Sequence, residues 1–98
     1  MMPQKDKKML VDMLSILFAC EVEENDYGSY IRCVIPNTGK EIQYYDTFTE
    51  SLYLCSSNEN DTHVYEAHNN IDTYKKAMDC IVNIINNEEY DIKHIFYT

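Results

Sequence analysis

The chain predicts an α+β fold: one small domain over residues 1–98, with an antiparallel or mixed sheet packed against helices. Three observations carry this. Segments 5–19 and 73–87 repeat apolar residues at helical spacing. Segment 29–46 holds two runs of strand formers around a turn. A chain of 98 residues supports one modest core.

The elements follow in order. In 5–19, Met9, Leu10, Met13, Leu14 and Leu17 form one apolar stripe, widened by Ile16 and Phe18. Pro3 suits the start of that helix. The acidic stretch EVEENDYGSY, residues 21–30, ends the pattern and reads as a helix-to-strand connection. In SYIRCVI, Ile31, Cys33 and Ile35 alternate with Tyr30, Arg32 and Val34, as in a strand with one buried face. PNTGK then turns the chain: Pro36 presets φ, and Gly39 can take a left-handed conformation. EIQYYD returns as the second strand of the hairpin 29–46, with Ile42 and Tyr44 on one face.

Residues 48–57 admit two readings. Thr47 and Glu50 fit a capping box, and Phe48, Leu52 and Cys55 then share the face of a short helix. The competing reading is a strand at 51–56, paired through SNEND with THVYEA. Either way a strand is expected near 62–67. Asp72 can cap the helix 73–87, where Tyr74, Ala77, Met78, Ile81, Ile84 and Ile85 keep the helical period. YDIKHIFYT alternates and predicts a last strand near 91–97.

The formal charge is −9, from 17 acids and 8 bases. Lys5, Lys7 and Lys8 against Asp6 give residues 1–8 a balance of +2, so the other 90 residues carry −11. Nucleic-acid binding needs clustered cations to displace counterions from phosphate, and after the amino-terminal segment no two lie close except Lys75 and Lys76. An anionic membrane is disfavoured for the same reason. A basic protein partner suits this charge, whose field would speed the encounter. The plainer role of the charge is solubility.

Cys20, Cys33, Cys55 and Cys80 lie far apart in sequence, each among apolar neighbours. They read as reduced core thiols of a cytoplasmic protein. The even count also admits a disulfide framework. MLVDMLSILFAC is interrupted by Asp12 and lacks a cleavage site, so no signal peptide is expected. No run is long enough to span a membrane.

The sequence offers no catalytic or metal site, and no cofactor is expected. His63 and His68 are five apart, which matches neither helical nor strand spacing of a ligand pair. No serine sits in a glycine-flanked elbow. Two glycines cannot build a phosphate loop. NENDTH lacks the glycine and terminal Glu of a calcium loop.

What remains are three acid groups: Glu21, Glu23, Glu24 and Asp26; Glu59 and Asp61; Glu88, Glu89 and Asp91. The plainer reading makes all three solvated loops. The functional one lines them on a single face as a phosphate-like row, with Tyr27, Tyr30 and Tyr90 beside them as aromatic anchors. Asn, Ile and Tyr supply 28 of the 98 residues, a bias that fits an AT-rich genome.

In size, acidity and richness in Tyr and Asn, the chain resembles small phage-encoded inhibitors of bacterial defence, among them anti-CRISPR and anti-restriction proteins. The resemblance lies in composition and covers no motif. It implies a stoichiometric inhibitor acting in the host cytoplasm, a nucleic-acid mimic that blocks the basic surface of a nucleic-acid-binding protein or nuclease. The alternative is a non-enzymatic assembly module, a homo-oligomer joined through Tyr30, Tyr45 and Val34.

Overall fold

The computed structural model describes residues 1–26, 28–47, 49–58, 60 and 63–88. They form an α+β domain of two helices and five antiparallel strands. The elements run α1 (Gln4–Phe18), β1 (Glu23–Glu24), β2 (Tyr30–Ile35), β3 (Lys40–Tyr45), β4 (Ser51–Ser56), β5 (Val64–His68) and α2 (Tyr74–Asn87). The sheet is a meander in which strand order follows chain order. The strand expected near 91–97 lies outside the described residues.

The hairpin forms as its pattern demands. Ile35 pairs with Lys40, so residues 36–39 make the turn, with Gly39 at φ 70 and Asn37 at φ 66. Thr38 Oγ1 donates to the Ile35 carbonyl at 2.8 Å and accepts from the Lys40 N–H at 3.1 Å, holding the turn from within. Alternation sends Ile31, Cys33, Ile35, Ile42, Tyr44, Leu52 and Leu54 to one face. There they join Leu10, Leu14, Leu17 and Phe18 of α1 and Ala77, Cys80, Ile81, Ile84 and Ile85 of α2 in one core.

Two expectations about the helices need correction. Ile16 does not widen the α1 stripe: it is 49% exposed, while Phe18 is buried. Helix 73–87 is present, but Thr73 caps it, its side chain accepting from the Lys76 N–H at 3.1 Å. Asp72 binds the Lys76 ammonium instead, at 2.8 Å.

The short helix expected over 48–57 is absent from its described residues, 49–57. Ser51–Ser56 is β4, paired along its length with β3 and on its other side with β5. The strand reading wins because β3 offers a six-residue edge to pair, and because Leu52 and Leu54 both enter the core when side chains alternate. Glu50 sits at φ 43, which a helix would not tolerate. Its carboxylate accepts from the Met1 ammonium at 2.5 Å rather than closing a capping box.

The acidic connection also differs from expectation. Glu23 and Glu24 form β1, a two-residue strand on the outer edge of β2, with Glu23 opposite Arg32 and Glu24 opposite Ile31. Asn25 closes the following turn: its Oδ1 accepts from the Ser29 and Tyr30 N–H groups at 2.9 and 3.2 Å.

Candidate partner-binding surface

Both helices pack on the Ile31 side of the sheet, so neither lies on the Arg32 side. Register places Tyr30 beside Tyr45, then Arg32 beside Gln43 and Tyr53, then Val34 beside Glu41 and Cys55. The rings make a strip across three strands. Tyr30 and Tyr45 lie 4.9 Å apart between centroids, and Tyr45 and Tyr53 lie 5.9 Å apart in an edge-on contact. Val34 and Tyr45 stay 37% and 36% exposed. A shallow depression of about 280 Å³, lined by Tyr45, Thr47, Thr49, Ser51 and Tyr53, adjoins the strip. Burial pushes the Tyr30 and Tyr45 phenols above their ordinary value, so both remain protonated donors at neutral pH.

Charge on this face is organised by Arg32. Its guanidinium grips Glu41 through Nε and through Nη2, the latter at 3.3 Å, and reaches Glu23 through Nη1 at 3.2 Å. Gln43 Nε2 also donates to Glu41, at 3.2 Å. The buried Glu41 carboxylate is thus engaged through both oxygens, and Glu23 on the outer strand shares the same guanidinium.

The first acid group does not form one row. Strand alternation sends Glu23 and Glu24 to opposite faces. Glu24 lines a cavity of about 210 Å³ on the helix side, with Gln4, Lys7, Lys8, Gly28 and Ile31. Glu21, Glu24 and Asp26 are exposed and make no ion pair with the described residues. Glu88 stands at the far end of the molecule from this turn, held by Lys40 Nζ at 2.6 Å. Tyr27, Glu59, Asp61, Glu89, Tyr90 and Asp91 lie outside the described residues.

Other chemistry is tied up locally. His63 stacks edge-on against Tyr65 at 4.5 Å, and His68 Nε2 contacts Glu66 at 3.0 Å. Lys40 lies over the Tyr65 ring at 4.3 Å. Among the described residues no group of three or more His, Cys, Asp or Glu could hold a metal ion, and no helix is long and apolar enough to cross a membrane. Cys33, Cys55 and Cys80 are buried free thiols, and burial pushes Cys80 up to about 11.

The sequence pattern points to Tyr30, Tyr45 and Val34 on the back of the hairpin but not to Tyr53 and Arg32 as parts of the same surface. Tyr53 was hidden by the helical reading of 48–57. Arg32 was legible as an outward residue of the hairpin, but its partners Glu23 and Glu41 depend on register. Comparison with protein families, curated proteins and solved structures finds no match to this chain.

Proposed function

We propose that this protein is a non-enzymatic binding module that docks onto a basic, nucleic-acid-binding partner and blocks it, as an inhibitor of the anti-CRISPR or anti-restriction kind would. The observation that carries the proposal is the Tyr30–Tyr45–Tyr53 strip on the sheet face turned away from α1 and α2. Tyrosines offer large rigid contact area with a polar tip, the combination that anchors protein interfaces. Glu21 and Asp26, both exposed, then act at the rim, where charge governs encounter rate and partner choice more than affinity. The overall charge of −9 repels nucleic acid and draws a cationic surface. A reducing host cytoplasm suits its free thiols.

The test is capture on the immobilised chain from lysates of low-GC bacteria, at low and moderate salt, with competing duplex DNA. The proposal expects a nucleic-acid-binding protein that DNA displaces, that salt weakens, and that a Tyr45→Ala chain fails to retain. Retention unaffected by salt, DNA and Tyr45→Ala would overturn it. The exposed Val34 and Tyr45 favour a second reading, self-association through the same face. Sedimentation at micromolar concentration separates the two, since a monomer excludes the second.

A further inference from the structure

Two thiols bracket the segment that carries the first acid group. Cys20 follows α1, just after Ala19 turns the chain out of the helix at φ 49. Cys33 lies midway along β2 on its core face. Their Sγ atoms are 3.2 Å apart, across a sequence separation of 13. Cys33 is fully buried, whereas Cys20 is half-buried at the margin of the core. Cys55 and Cys80 have no such partner: Cys55 faces the opposite side of the sheet, and Cys80 belongs to α2.

We propose that Cys20 and Cys33 are a redox modification site, at which a hydroperoxide oxidises Cys20 and Cys33 then closes an intramolecular disulfide. In the first step the Cys20 sulfur attacks the peroxide. The O–O bond breaks, one oxygen stays as the sulfenic acid, and the other leaves as water with the thiol proton. In the second step the Cys33 sulfur attacks the Cys20 sulfur. The S–O bond breaks, and the hydroxyl leaves as water with the Cys33 proton. Two thiols and one hydrogen peroxide become one disulfide and two waters.

The geometry assigns the order. Of the pair, Cys20 is the one that touches solvent, so it meets the oxidant first. Burial, with the neighbouring Cys20 adding to it, holds the Cys33 thiol well above the usual range, which keeps Cys33 inert until an oxidised sulfur is presented to it. The sulfurs must close by about 1 Å to reach bonding distance, within reach of side-chain rotation. The bond would tie the end of α1 to β2 and enclose the acid-bearing segment, otherwise pinned to the sheet by a two-residue strand. Closing a loop of this length should raise the melting midpoint by on the order of 10 °C.

The test treats the full folded chain with stoichiometric hydrogen peroxide, removes the peroxide, unfolds the chain in denaturant, then alkylates free thiols and maps peptides by mass spectrometry. The expected result is loss of two of the four alkylatable thiols, a peptide linking Cys20 to Cys33, a raised midpoint, and reversal by dithiothreitol. Cys20→Ser, at the margin of the core, should leave its three remaining thiols unlinked at the same dose. The proposal is overturned if all four thiols remain alkylatable, or if Cys20 reaches sulfinic acid with Cys33 free. A link to Cys55 or Cys80, or a linked form that melts below the reduced one, would overturn it too.

Discussion

Replacing Asp46 with Asn should destabilise the domain more than any exposed substitution. The Asp46 and Lys7 side chains are 1% and 8% exposed, and Lys7 Nζ lies 2.8 Å from Asp46 Oδ2. The other carboxylate oxygen accepts from the Met2 N–H at 3.0 Å and the Tyr44 hydroxyl at 3.3 Å. Two unit charges at that distance attract by roughly 6 kcal/mol at an effective dielectric of 20. Most of that offsets desolvation, but Asp46→Asn leaves the Lys7 ammonium buried without a counter-charge, which costs about 3–5 kcal/mol. That is a large share of the roughly 5–15 kcal/mol that holds a domain together. The midpoint should fall by roughly 15–30 °C.

The pH dependence follows in sign. Burial by itself would push the Asp46 carboxyl up, but Lys7, the Met2 N–H and Tyr44 together hold it below its ordinary value of 3.8. Its stabilisation is therefore complete above that value and is lost as pH falls through the lower, folded-state value. Urea unfolding of the wild-type and Asp46→Asn chains, followed by circular dichroism between pH 7 and 2, reads both effects. The gap between the chains should close at the acid end, and adding Lys7→Met should recover more than half of it at pH 7. A loss below about 1 kcal/mol at pH 7, or a gap that widens on acidification, would refute the reasoning.

Two further outcomes test the packing of charge and the helix cap. Arg32→Met removes both nitrogens from the buried Glu41 carboxylate and should cost about 3 kcal/mol, with Glu41→Gln in the same chain restoring most of it, read by denaturant midpoints. Thr73→Ala leaves the Lys76 N–H without its acceptor, and should lower stability by about 1 kcal/mol in thermal melts while Thr73→Ser stays close to wild type.

The sequence by itself determined both long helices, the hairpin with its Gly39 turn, and the burial of Ile31, Cys33, Ile35, Ile42 and Tyr44. These depend on local periodicity and turn chemistry, which neighbours along the chain carry. It left β4 ambiguous, because a short apolar run such as LYLC satisfies helix and strand alike until an unpaired β3 edge competes for it. It gave no sign that Lys7, on the polar side of a helical pattern, would be buried: that requires Asp46, thirty-nine positions on, to arrive at the same end of the core. The acidic stretch was legible as charge but not as surface. Pairing with β2 made a strand of Glu23 and Glu24 and sent their side chains to opposite faces. The tyrosine strip and the Cys20–Cys33 contact have the same origin. Each joins residues that are distant in sequence and adjacent only in register, so only the tertiary structure could decide them.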